Sequence, residues 1–180
     1  MKTLLKIYFF LFSLLSFSKS TESIRVMTFN IHYGNTIDNV FDILEISKVI
    51  RESNSDIVCL QEVDNFWSSR SEFESLIAII SIDAGLPYYI YNPIYDKPSS
   101  RGDKYPNEQF GTAILSKYKI LESFDYIISR WSSQKGDPQP GDPGFPSQYH
   151  GFGHVILDIN GKNFSVYNTH LDYRADPSKG

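Results

Sequence analysis

The 180-residue sequence contains a single cysteine, Cys59, and therefore no pair that could form an internal disulfide. Cys59 lies in the apolar run Ile57-Val58-Cys59-Leu60, which predicts a small buried core residue because free cysteine is among the most buried residue types. An excess of positive charge is also missing: 17 Lys and Arg oppose 21 Asp and Glu, a net charge of −4. General binders of the nucleic-acid backbone carry a basic face. The composition counts against that class but leaves room for an enzyme that binds one phosphate.

The longest apolar run, Ile7 to Phe17, is too short to span a bilayer comfortably. It follows Lys2 and Lys6 and precedes small residues that suit cleavage after Ser20, a pattern typical of a secretory signal peptide. We therefore expect residues 1–20 to be a signal peptide and the mature protein to be secreted or periplasmic, with no transmembrane helix after cleavage. Residues 1–20 hold three lysines and no acid, so 14 basic and 21 acidic residues remain and the net charge becomes −7.

The hydrophobic pattern alternates between strand and helix signals. Residues 24–31 are apolar on both faces, which predicts a central strand, and Asn160-Gly161 between two alternating runs predicts a β-hairpin. Helices and strands together predict an α/β (α+β) domain with one or two sheets and helices outside. The remaining elements are helices at 38–52, with Asp38 as N-cap, and 72–84; strands at 57–62, 88–91, 110–115, 120–128, 153–159 and 162–168; and loops at 93–109 and 130–148.

Three of the predicted strands end in polar side chains, namely Asn30, Glu62 and His170. Ligands gather at the carboxyl ends of strands in sheets of this kind, so we expect the three to converge if their strands share an edge. One carboxylate beside an amide suits Mg²⁺, which keeps most of its waters. A zinc site is not indicated, because there is only one cysteine and the single His-x-x-x-His pair, His150 and His154, lies apart from these strand ends.

Four segments in order carry a family resemblance: Arg25 to Gly34 (RVMTFNIHYG), Asp56 to Asp64 (DIVCLQEVD), Gly111 to Ser116 (GTAILS) and Asn168 to Asp172 (NTHLD). Together they resemble the endonuclease/exonuclease/phosphatase superfamily, which includes nucleases, sphingomyelinases and inositol-polyphosphate phosphatases. The resemblance implies a four-layer sandwich of two mixed β-sheets with helices outside. It also implies hydrolysis of a phosphate mono- or diester that depends on Mg²⁺, with Mn²⁺ or Ca²⁺ as alternative ions.

The resemblance also assigns roles. It makes Glu62 the metal ligand, with Asn30 beside it ordering the metal shell or the nucleophile, and it places His170 on the phosphate. Asp172 and Arg174 follow His170 and are expected near the site, while His32 shares the strand face of Asn30. The predicted assignments are therefore catalytic Asn30, His170 and Asp172; substrate-binding His32 and Arg174; and metal-binding Glu62 and Asn30.

The later motifs of the superfamily, an Asp-x-Asn and a closing Asp-His pair, do not occur after His170. We therefore expect residues 21–180 to be the N-terminal part of a longer domain, incomplete at the C-terminus, and the 180-residue chain alone to be inactive. The substrate class stays open between nucleic acid, a lipid head group and a small phosphate ester; no stable protein partner is predicted. The rival interpretations are a non-catalytic secreted binding protein on the same fold and an inactive fragment.

Overall fold

The computed structural model describes residues 23–128 and 150–171. The described part contains seven strands, two α-helices and two short 3-10 helices. Neither helix is both long and apolar enough to cross a bilayer. The strands are β1 (Val26–Asn30), β2 (Ile57–Asn65), β3 (Tyr88–Lys97), β4 (Glu108–Ser116), β5 (Ile120–Ile128), β6 (His150–Ile159) and β7 (Lys162–Thr169), and the helices are α1 (Ile43–Ser53) and α2 (Leu76–Ala84).

The strands form two sheets. The first has the order β1-β2-β4-β3 and is mixed, since β1 and β2 are parallel and the other pairs are antiparallel. The second has the order β5-β6-β7 and is antiparallel. The predicted Asn160-Gly161 hairpin is confirmed between β6 and β7. The prediction of a central first strand is not met within the described residues, where β1 is an edge strand and Val26 is 52% exposed.

Two apolar cores separate three layers. One lies between the helices and the first sheet, around residues such as Ile50, Leu60 and Ile80. The other lies between the two sheets, around Ile57 and Leu157. The predicted α/β class, with paired sheets and helices outside, is thereby confirmed. The prediction that Cys59 is buried is confirmed in the second core, where burial raises the pKa of its thiol to about 11.

Both helices begin later than the sequence pattern predicts. The N-cap of α1 is Asp42, not Asp38, and its carboxylate accepts the Glu45 N–H at 3.0 Å. Residues 35–41 instead close a loop through a bridge between Asn35 and Phe41. The start of α2 is delayed to Leu76 because Glu72 and Phe73 both have φ of +55°, a conformation that ends rather than continues a right-handed helix.

Candidate active site

Asn30, Glu62 and His170 come together at one end of the paired sheets. Asn30 ends β1 and His170 directly follows β7, whereas Glu62 lies within β2, which continues to Asn65 and does not end at residue 62 as predicted. The Asn30 Nδ2 group donates to Glu62 Oε1 at 2.8 Å. His170 Nε2 lies 3.8 Å from the same oxygen, and the Glu62 and His170 side chains are 21% and 33% exposed. The arrangement leaves the carboxylate in contact with both neighbours and still open to solvent.

A β-bulge aims Glu62 at this cluster. The register of β2 against β4 shifts between Leu60 and Val63, and Glu62 has φ of +56°. Bulges re-aim a side chain at the cost of ladder pairing, and a non-glycine residue in this region costs about 1–3 kcal/mol. Such strain persists only where the surroundings hold it in place, and it clusters at functional sites. The bulge therefore identifies Glu62 as a candidate functional residue, independently of its charge.

A tight turn after β1 fixes Asn30. The Asn30 Oδ1 atom accepts the backbone N–H of His32 at 2.9 Å, which leaves Nδ2 for Glu62. His32 and Tyr33 have φ of +46° and +48° in this turn, and the Tyr33 hydroxyl lies 2.7 Å from His32 Nε2. Asn30 and His32 also line an open cleft of about 410 Å³ between the end of β1 and α1. The turn thus orders the amide and places the predicted substrate-binding His32 at a solvent-filled opening.

An arginine that the sequence did not single out as a site residue lies beside the turn. The Arg70 guanidinium donates to both oxygens of Asp64, at 2.8 and 2.7 Å, and Asp64 is fully buried. The guanidinium also lies 4.0 Å from the centre of the Tyr33 ring and 5.6 Å from that of Trp67. A bidentate pair with a buried partner fixes the plane of the arginine. The sequence feature that could have indicated it is Asp64, an acidic residue two positions after Glu62 on the same strand.

The residues present fit one hard divalent cation. Mg²⁺ is commonly bound through one or two carboxylates and retained waters, and Glu62 offers one partly exposed carboxylate with Asn30 beside it. Among the described residues there is no group of three or more His, Cys, Asp or Glu that could enclose a metal. Asp172 and Arg174 lie outside the described residues, as do residues 1–20 and the predicted loop at 130–148.

A family model described as the endonuclease/exonuclease/phosphatase family matches residues 27–178. The chain belongs to the endonuclease/exonuclease/phosphatase family. The match contains all six predicted site residues, and the resemblance seen in the four motifs is confirmed. No curated protein sequence matches the chain significantly.

Solved structures show the same fold. Family members from Beutenbergia cavernae DSM 12333 and Leptotrichia buccalis C-1013-b superpose with TM-scores of 0.60 and 0.54, at 22% and 13% identity, over 82% and 83% of this chain. A family member from Bacteroides vulgatus gives 0.50 at 21% identity over 83%. The chain spans only 38%, 55% and 53% of these three proteins, respectively.

Proposed function

We propose that this member of the endonuclease/exonuclease/phosphatase family acts in divalent-metal-dependent hydrolysis of a phosphate mono- or diester, with Mg²⁺ as the ion. The observation that carries the proposal is the Glu62 carboxylate, held on a strained bulge between Asn30 and His170. Family membership supports the phosphoester class. Export to the periplasm or the exterior, through the signal pattern of residues 1–20, is part of the proposal.

Each side chain has a task that its contacts suit. Glu62 would hold the cation, and Asn30 would orient the carboxylate through its 2.8 Å hydrogen bond. His170 would donate a hydrogen bond to a phosphoryl oxygen, a role open to imidazole near neutral pH. When bound, Mg²⁺ supplies charge neutralisation on phosphoryl oxygens and in the transition state. His32 and Arg70 would contact the rest of the substrate from the turn and the adjoining aromatic wall.

The test is hydrolysis of bis-p-nitrophenyl phosphate, a diester, and p-nitrophenyl phosphate, a monoester, with Mg²⁺ and with EDTA. It is run on this chain and on the longest reading frame that contains it, each with and without Glu62→Gln. Glu122→Gln is the matched control, because Glu122 is an exposed carboxylate on β5 of the other sheet.

We expect hydrolysis that EDTA abolishes in at least one of the two proteins, and a loss of at least about 100-fold on Glu62→Gln, since even outer-shell changes at metal sites cost 10–100-fold. Glu122→Gln should leave the rate unchanged. Equal Mn²⁺ affinity in the wild type and Glu62→Gln, together with no hydrolysis by either protein, would favour the non-catalytic binding protein instead.

A further inference from the structure

Gln61 and Asn168 are polar side chains at inward positions of the largely apolar seam between the sheets. Along β2 the inward positions run Ile57, Cys59 and then Gln61; along β7, Val166 is followed by Asn168. Gln61 is 9% exposed and Asn168 only 3%. An apolar residue at either place would extend the core, and a buried amide costs free energy unless it is hydrogen-bonded.

The Asn168 amide is well satisfied, and its partners belong to the other sheet. Its Nδ2 group donates to the carbonyl oxygens of Leu60 and Ala113, both at 2.8 Å. Its Oδ1 accepts from Gln61 Nε2, also at 2.8 Å. Leu60 and Ala113 face each other in the β2–β4 ladder at the last regular pair before the bulge. Asn168 thus supplies donors to carbonyl groups where the ladder is interrupted.

The position of Asn168 links both sides of the site. On β2 its partners Leu60 and Gln61 directly precede Glu62, and on the other sheet His170 follows two residues later. Without the amide, the buried carbonyl groups of Leu60 and Ala113 would each lose a donor, which disfavours the present arrangement next to the bulge. We expect the backbone of β2 to shift next to the bulge, because both carbonyl groups lie directly before it. Such a shift would change the position of Glu62 relative to Asn30.

We propose that Asn168 is a positioning residue that holds the Glu62 bulge and sets the spacing between Glu62 and His170, with Gln61 as its partner. The metal-affinity part of this inference rests on the proposed function. Gln61→Met keeps the two carbonyl contacts of Asn168, so its effect should be smaller than that of Asn168→Leu. We therefore expect the effect on the site to be largest in Asn168→Leu, smaller in Gln61→Met and absent in the wild type.

The experiment compares Asn168→Leu, Gln61→Met and Val166→Ala with the wild-type chain. Val166 is the matched control because it is buried on the same face of β7, two residues before Asn168, within the apolar core. The first readout is the Mn²⁺ dissociation constant. The second, which needs no metal, is the NMR signal of the Asn30 side-chain amide that bonds Glu62. Thermal unfolding reports stability in parallel.

We expect Asn168→Leu to weaken Mn²⁺ binding by about 10–100-fold, as outer-shell changes do, and to shift the Asn30 amide signal. Gln61→Met should give a smaller change in both, whereas Val166→Ala should lower the melting temperature alone. Mn²⁺ affinity within twofold of wild type and an unmoved Asn30 signal in Asn168→Leu would overturn the proposal. Equal changes in Val166→Ala would also do so, since they would indicate a general structural role.

Two further outcomes are a variant that does not fold and a wild-type chain whose Mn²⁺ binding does not depend on Glu62. If Asn168→Leu does not fold, Gln61→Met decides by the same two readouts. If the wild type binds Mn²⁺ no more tightly than Glu62→Gln does, the proposed function fails while the positioning inference is still judged by the Asn30 signal.

Discussion

The two halves of strand β2 contrast within nine residues. Ile57–Leu60 is apolar, at most 6% exposed, and pairs without interruption with both β1 and β4. Gln61–Asn65 carries the bulge, the positive φ of Glu62 and the buried Asp64. The polar side chains of the second half are bonded to other elements: Gln61 to Asn168, Glu62 to Asn30 and Asp64 to Arg70.

The difference shows how one strand can serve stability first and function second. A regular buried ladder gains from apolar burial and complete hydrogen bonding. A bulge gives up part of that ladder and survives only when neighbours hold it. We therefore expect substitutions in the first half to change the free energy of unfolding, and substitutions in the second half to change the site.

The largest expected effect is on stability, from Ile57→Ala in the first half. Ile57 is fully buried between the sheets, and such large-to-small changes cost about 2–5 kcal/mol. Urea unfolding measures this loss. Mn²⁺ affinity, measured below the unfolding transition, should stay within about twofold of wild type, because three regularly paired residues separate Ile57 from the register shift. A parallel loss of affinity would contradict the separation of the two halves.

The next effect comes from Arg70→Met beside the second half. It leaves the fully buried Asp64 carboxylate without two charged hydrogen bonds, which we expect to cost about 1.5–3 kcal/mol. Adding Asp64→Asn to Arg70→Met removes the buried charge and should recover more than half of that loss. Urea unfolding of the single and double variants decides the matter; no recovery would mean that Arg70 stabilises through its contacts with Tyr33 and Trp67 instead.

The structure of the first half of β2 could be predicted from the sequence more completely than that of the second half. The apolar runs, the Asn160-Gly161 turn and the polar strand ends depend on local chemistry, so the class, the hairpin and the meeting of Asn30, Glu62 and His170 could be predicted. The bulge could not, because it depends on donors supplied by Asn168, 106 positions after Glu62 in the sequence. The delayed start of α2 likewise depends on two positive φ values that no local pattern predicts.

The sequence also predicts a shorter strand β3 than the structure contains, for a physical reason. The sequence predicts β3 over 88–91 and a loop from 93, since proline lacks a ladder donor. The structure continues β3 to Lys97 because it lies at a sheet edge and shifts register between Pro93 and Tyr95. The ion pair between Arg70 and Asp64 was not predicted, because Asp64 lies in a strand whose bulge was unforeseen.

A smaller effect tests the strain at Glu62 directly. Glycine adopts positive φ without the Cβ penalty, whereas alanine does not. We expect Glu62→Gly to be more stable than Glu62→Ala by about 1–2 kcal/mol, the usual cost of a left-handed residue, although both remove the carboxylate and weaken Mn²⁺ binding alike. Equal unfolding free energies would show that the backbone relaxes at this position in the variants and that the strain does not persist.

The smallest expected effect is the contribution of Cys59, in the first half of β2, to folding stability. This contribution changes with pH only under alkaline conditions. Burial raises the pKa of its thiol to about 11, whereas the unfolded thiol titrates near about 8.5. The neutral thiol is favoured in the folded state, so its stabilising contribution is complete below about pH 8.5 and is lost as the pH rises towards 11.

Tyrosines titrate in the same range, so the wild type is compared with Cys59→Ala. The stability difference between them should be constant from pH 6 to 8 and should then change, against the wild type, between pH 9 and 11. A constant difference would mean that the thiol is open to solvent, and that the apolar half of β2 is less tightly closed than its ladder indicates.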